Sequence, residues 1–420
     1  MCNPKMTYRA VTQGSSMSTT SSSATRSPIN RAMLCCGFSA FALLYCVQPL
    51  MPEMVRQFGV TPAQASWPLS VTTVAMAFAL LASGALADRF GRKQLMCAAL
   101  VGAALLALLS ALAQDFVQLL ALRALLGVAL GCVPAVAMAY LNDEIAPATL
   151  GHSMGMYIAG TALGGTVGRV LAVLVTDLAS WRWALALMGA AGLVAAWEFQ
   201  RSLPGDRKCT VERAVKPSGW RDVARGGEAH LHDAGLRTLY LIGFLVMGVF
   251  VSLYNYVSFR LLGAPFELGQ GLVGMCSLLY LSGMFSAVWA GKLADRLGRR
   301  NVLWAVTAAM LVGLLLTLAE KLIVIVVGMA LFTASFFAVH AVVSSWVARR
   351  ARGSRAMAGA LYLFFYYAGA AGIGSLAGTL WSAARWHGVV ALLALALGLA
   401  LVLAWRLRGL APLALAPASA

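Results

Sequence analysis

Acidic side chains are scarce in this sequence: fifteen in 420 residues, against 32 Lys and Arg. Charge of either sign makes up 11% of the chain, where soluble globular domains usually carry about 25%. With 60% hydrophobic residues and a mean hydropathy of +0.80, so little charge excludes a soluble globular protein. Regular alternation of polar and apolar residues is also missing, which excludes a membrane β-barrel. No CxxC pair exists among the eight cysteines, and most of them lie inside apolar runs, where Cys acts as a small hydrophobe. Neither a disulfide nor a metal site is expected, and nothing calls for a cofactor. An enzyme working at a membrane face would show clustered His or acids, and a sensor would carry a folded soluble domain. Here the longest interior polar segment is about 35 residues, too short for a usual domain.

What is present is a series of apolar runs long enough to cross a hydrocarbon core, which takes about 20 helical residues. Twelve spans are expected, at 32–52, 67–87, 93–113, 116–140, 150–175, 181–200, 237–260, 270–291, 300–319, 321–346, 355–380 and 386–407. The expected fold is all-α integral membrane, with two pseudo-symmetric six-helix bundles at 32–200 and 237–407. Between them lies a linker at 201–236 marked by Pro204, Gly205, Pro217 and Gly219, read either as a basic tether or as an amphipathic stretch on the membrane surface. Residues 1–31, polar and rich in Ser and Thr, read as a disordered tail, and 408–420 as a cytoplasmic tail.

The formal charge of +17 invites a nucleic-acid partner, but the basic residues sit in short clusters between apolar runs. Orientation in the bilayer explains them better. With the amino terminus inside, twenty-five Lys and Arg fall on the cytoplasmic side and five (Arg56, Arg182, Arg260, Lys321 and Arg385) on or near the outer face. Both termini are therefore expected in the cytoplasm. The remaining two, Arg123 and Arg169, fall within spans.

One stretch occurs twice. Gly84-Ala-Leu-Ala-Asp88-Arg89-Phe-Gly91-Arg92-Lys93 returns, identical at seven of ten positions, as Gly291-Lys-Leu-Ala-Asp295-Arg296-Leu-Gly298-Arg299-Arg300. Each copy joins two spans as a tight cytoplasmic turn: the glycines allow turning backbone and close helix approach, and the basic residues face the acidic inner leaflet. A mere topogenic turn would need the charges but not the Asp and both glycines.

This pattern resembles the loop 2/3 signature of the major facilitator superfamily, and the likeness covers essentially all of residues 32–407. Within that family the chain looks like the YnfM-type bacterial inner-membrane transporters, in the drug and sugar efflux neighbourhood. The residues carrying this are Phe41-Ala-Leu-Leu-Tyr-Cys-Val-Gln-Pro49, Ser153-Met-Gly-Met-Tyr-Ile158, Leu253-Tyr-Asn-Tyr256 and Leu361-Tyr-Leu-Phe-Phe-Tyr-Tyr367. The resemblance implies that Asp88 approaches the amino-terminal end of the eleventh span and that Arg92 pairs with Asp143 or Glu144. These contacts would hold the cytoplasmic ends closed. Arg123, Gly127 and Gly131 in the fourth span are similar to the family's motif with a buried Arg. Gly160, Gly164, Gly165, Gly168 and Arg169 in the fifth resemble its exporter signature, although the usual Gly-Pro is Gly164-Gly165 here.

An intramembrane Arg costs roughly 2.5–3.5 kcal/mol on insertion scales, so Arg123 and Arg169 are functional candidates, with a snorkelling role open for Arg123. Neither has a basic counterpart in the second half. That half instead offers His340 and the aromatics Tyr362 and Tyr366; Gln48, Tyr157, Tyr254 and Asn255 complete the cavity candidates. His340 is read either as a packing residue or as a proton carrier. No acid falls near the centre of a span, so the midplane carboxylate common in proton-coupled transporters is missing. A cavity with two Arg and no acid disfavours organic cations and suits neutral or anionic solutes.

The expectation is a monomeric secondary transporter of the bacterial inner membrane, multi-pass and not an enzyme, working by alternating access and exporting a small organic solute against protons. Uptake or exchange of an anionic or neutral metabolite is the alternative within transport.

Overall fold

Long runs of Leu, Ala and Val in a lipid core must satisfy their own backbone N–H and C=O groups, and a helix does so within one segment. The computed structural model describes residues 19–145, 147–203, 227–351 and 355–409, and no strand occurs among them. Among the described residues, ten helical segments are long and apolar enough to span a membrane. The last of these, 53 residues long, is broken where Ala384 and Arg385 leave helical geometry. Dividing it there and adding the 22-residue helix Trp181–Ser202, whose Trp, Arg and Glu lower its hydropathy, accords with twelve.

The helices are α1 (Thr19–Tyr45), α2 (Trp67–Phe90), α3 (Arg92–Ala111), α4 (Phe116–Gly131 and Pro134–Glu144), α5 (Pro147–Leu178) and α6 (Trp181–Ser202). The second set is α7 (Ala234–Leu262), α8 (Gln270–Met275, a 3₁₀ turn at Cys276–Leu279, then Tyr280–Leu297), α9 (Arg299–Leu316) and α10 (Leu322–Arg350). The segments 355–383 and 386–406 of the final run are α11 and α12. Pro134 explains the interruption of α4, since proline lacks the N–H that an unbroken helix would use.

Two boundaries differ from expectation. The first helix starts at Thr19, so 19–31 is helical where a tail was expected, and Ile29 is already buried. A polar composition did not stop the apolar helix behind it from extending. Of the expected linker, 204–226 lies outside the described residues, while 227–232 is helical and α7 begins at Ala234.

Small residues set how the bundles close. A Cβ on Gly160 or Gly164 of α5 would stand 2.3 and 2.1 Å from the carbonyl oxygens of Leu34 and Phe38 on α1, so the backbones touch directly. In the second half Gly369 of α11 meets the carbonyl of Phe244 on α7 at 2.0 Å by the same measure. Gly127 and Gly131 hold α4 against Thr72 and Met76 of α2. Each repeated turn is a single residue: Gly91 with φ 87° and ψ 142°, and Gly298 with φ 83° and ψ 136°. Both take the left-handed region that glycine alone enters freely.

Candidate functional site

The contacts that join the two halves lie at mid-depth and toward the face opposite the repeated turns. Ser375 donates to Ser70 at 3.3 Å, Arg56 donates to Gln270 at 3.2 Å, and Gly378 lies against Ala63. Deeper in, Gln48 Nε2 donates to Asn255 Oδ1 at 2.8 Å. A cavity of about 60 Å³ is lined by residues of both halves. Such a volume is roomy enough for several waters, since one needs about 10–15 Å³. Its walls are mostly aromatic, with Tyr45 from α1, Phe250 from α7, Tyr280 from α8, Phe336 from α10 and Tyr366 from α11.

Arg169 is the charged residue in that wall, and it is 2% exposed. Its Nε donates to Gln48 Oε1 at 2.7 Å and its Nη1 to the carbonyl of Gly165, one helical turn back, at 2.6 Å. The guanidinium lies 4.1 Å from the ring centroid of Tyr45 and 4.3 Å from that of Tyr280, close enough for cation–π attraction. Its Nη2 has no hydrogen-bond partner among the described residues; the Tyr280 hydroxyl is near without reaching hydrogen-bond geometry. Gly165 belongs to this wall too: a Cβ there would meet side chains, Arg169 Nη1 at 3.2 Å and the Tyr45 ring at 4.0 Å, and no backbone, so it does not pack helices as Gly160, Gly164 and Gly168 do.

Arg123 goes elsewhere. Its Nη1 and Nη2 donate to the carbonyls of Leu43 and Leu44 at 2.9 and 2.7 Å, at the carboxyl end of α1. Those carbonyls have no intrahelical donor, and a cation there is favoured by the helix dipole. The fully buried guanidinium thus closes the end of α1 just before Gln48, and it does not line the cavity. Sequence alone could not separate the two arginines, because both are single charges in apolar helices.

Beside the cavity, His340 Nδ1 shares a hydrogen bond with the Tyr362 hydroxyl at 2.9 Å, and its ring centroid is 4.8 Å from that of Tyr366. Tyr254 bonds Thr333 across α7 and α10 at 2.7 Å, and the buried Tyr157 hydroxyl has no partner among the described residues. Tyr45, Tyr280 and Phe250 were not singled out from the sequence. Tyr45 stands one turn before Gln48, but aromatic residues are too common in these helices for that spacing to stand out.

At the turn-bearing face, Arg92 pairs with Asp143 beside Glu144 at the end of α4. Both partners belong to the first half, so this contact does not itself bridge the halves. The residue at the matching offset from Asp143 is Arg350, which chelates Asp233 through Nε at 2.6 Å and Nη2 at 3.1 Å. Arg299 accordingly turns to Asp295 at 2.7 Å and Ser345 at 3.3 Å. Asp88, Arg89 and Arg296 are exposed, and Asp88 makes no hydrogen bond or ion pair among the described residues. A Cβ on Gly84 or Gly291 would meet nothing, so the close approach expected of them is not made here. Among the described residues no group of three His, Cys, Asp or Glu could hold a metal.

The comparisons with known proteins agree with this geometry. A profile of the Major Facilitator Superfamily matches residues 33–285. The chain is 42% identical to the uncharacterized MFS-type transporter YybF of Bacillus subtilis, over 89% of this chain and 91% of that one. It is also 42% identical to the inner membrane transport protein YnfM of Escherichia coli, over 90% of each. Two solved structures at 14% identity share the fold: the nucleoside transporter NupG, with a TM-score of 0.73 over 90% of this chain and 99% of that one, and a bacterial homologue of the lysosomal transporter Spinster, inward-facing and unoccupied, with 0.70 over 90% and 95%. A duplicated all-helical membrane fold with a cavity between its halves, together with these likenesses, shows that the chain belongs to the major facilitator superfamily and is a membrane transporter.

Proposed function

We propose that this protein is a secondary active transporter of the bacterial inner membrane that moves a small, neutral or anionic organic solute by alternating access, exporting it in exchange for protons. The observation that carries the reading is the distribution of contacts between the halves. They join at the Gln48–Asn255 level and beyond, toward the face opposite the repeated turns, while at the other face Asp88 and Gly84 stand uncontacted among the described residues. With both termini in the cytoplasm, as the basic residues favour, this is a state open to the inside.

The cavity wall supports the solute class: an arginine among aromatics and no carboxylate. The name of YnfM supports the inner membrane. The missing carboxylate favours a second reading, exchange of an anionic metabolite without proton coupling. Inside-out vesicles with an imposed pH gradient separate the two. Solute uptake into them should follow the gradient if export is proton-linked, and indifference to the gradient would leave only exchange.

A further inference from the structure

We propose that the Nε/Nη2 edge of Arg169 is a receptor for a monocarboxylate, and that the bound carboxylate displaces Gln48 and thereby releases its bond to Asn255. This names the solute of the transport cycle proposed above and rests on that reading.

A guanidinium offers a carboxylate its best grip along one edge, where two parallel N–H groups meet two oxygens. On Arg169 the Nη1 side is committed to Gly165 O. The side-on edge is half filled: Nε holds the Gln48 amide oxygen at 2.7 Å, and the buried Nη2 of this cavity-lining residue holds nothing among the described residues. A neutral amide oxygen on a charged donor is a weaker partner than a carboxylate, so an incoming carboxylate that takes Nη2 also competes for Nε. Charge sets the number of carboxylates at one. Arg169 is the ionised residue of the wall, and a second buried negative charge would stay uncompensated. The aromatic lining at Tyr45, Tyr280, Phe250 and Phe336 suits an apolar or aryl body behind the carboxylate.

Displacement has a mechanical consequence, because Gln48 is held from both sides. Its oxygen accepts from Arg169, and its nitrogen donates to Asn255 of the other half at 2.8 Å. Losing the first contact frees the side chain that makes the second. Binding would thus weaken a bond that holds the opposite face closed, which is what a substrate must do to be carried.

Purified full-length protein tests this with benzoate, benzamide and benzylamine, followed by thermal shift. Benzoate should stabilise most. Arg169→Gln and Arg169→Lys should each weaken the benzoate response about tenfold or more, the Lys variant keeping the charge but losing the fork. Gln48→Leu should strengthen it, since the competitor for the edge is gone. In a variant with the native cysteines replaced and Ser70→Cys introduced, benzoate should raise alkylation of that cysteine. Unchanged benzoate affinity in both Arg169 variants, or in Gln48→Leu, would overturn the proposal, as would a benzoate shift no larger than that of benzamide. In that last case the neutral-solute reading of the cavity stands and only the carboxylate receptor falls. Stabilisation by benzylamine alone removes both.

Discussion

Gln48 and Asn255, which bond to each other at 2.8 Å, are 207 residues apart, the same offset that separates the two copies of the repeated turn. They lie in corresponding regions of the two halves, near the end of α1 and within α7. The pair is also unequal, since Gln48 is tied to Arg169 and nothing basic occupies the matching place in the second half.

Asn255→Ala should loosen the face opposite the turns. A neutral hydrogen bond contributes about 1 kcal/mol net, or roughly a fivefold shift in a two-state equilibrium. Alkylation of a cysteine placed at Ser70, which is buried against Ser375 of the other half, should speed up by about that factor. An unchanged rate would mean that the bond does not restrain the gate.

Asp88→Asn should cut transport while leaving membrane insertion and the stability of this state intact, within about 0.5 kcal/mol. The carboxylate is exposed and uncontacted here, so it has little to lose. Its work is expected in the closed state of the turn-bearing face, against the amino-terminal end of α11. Wild-type flux in the variant would sink that role.

Gly164→Ala and Gly165→Ala are adjacent substitutions with opposite expected results. The first drives a Cβ to 2.1 Å from Phe38 O and must push α1 and α5 apart, costing on the order of 1–3 kcal/mol. The second meets only side chains, Arg169 Nη1 at 3.2 Å and the Tyr45 ring at 4.0 Å, and should leave the melting temperature nearly unchanged while altering solute affinity. Equal melting shifts would contradict this division.

Arg123→Met should lower stability without a selective effect on solute binding, because its two short hydrogen bonds go to the end of α1 and not to the cavity. Hydrogen bonds to a charged group contribute about 1.5–3 kcal/mol each. A variant of wild-type stability that no longer binds solute would move Arg123 back into the site.

Acid should weaken the Asp233–Arg350 bond at the start of α7. Partial burial raises the Asp233 pKa, but the hydrogen bonds from Arg350 and from the backbone N–H groups of Leu236 and Gly235 outweigh it and hold the carboxyl below its ordinary value. A depressed folded pKa means that the stabilisation is present above the unfolded value and is lost as pH falls through the folded one. Melting temperature measured from neutral pH down into the carboxylate range should fall less in Asp233→Asn than in the wild-type protein. Equal slopes would assign the acid sensitivity to other groups.

The membrane class, the duplication and the turns could be read from residues alone, because each depends on local physics. A run of about 20 apolar residues has few options in a bilayer, and Gly91 and Gly298 lie where a one-residue turn needs positive φ. The start of α1 was misplaced by the Ser/Thr tract, since helix extension depends on what already stands behind it and not on local polarity. Pairing of Arg92 with Asp143 or Glu144 was expected, and in the structure Arg92 contacts Asp143.

The site divides differently. The sequence by itself determined that two arginines lie buried in apolar helices without basic counterparts, and that no carboxylate joins them at the centre of a span. Only the tertiary structure decided their separate uses. Arg123 finds carbonyls at a helix end and is spent on the fold, while Arg169 faces Gln48, Tyr45 and Tyr280 with one nitrogen unpartnered among the described residues. The reason is physical: a buried charge must find compensating dipoles, and which dipoles are within reach depends on how helices from distant parts of the chain cross.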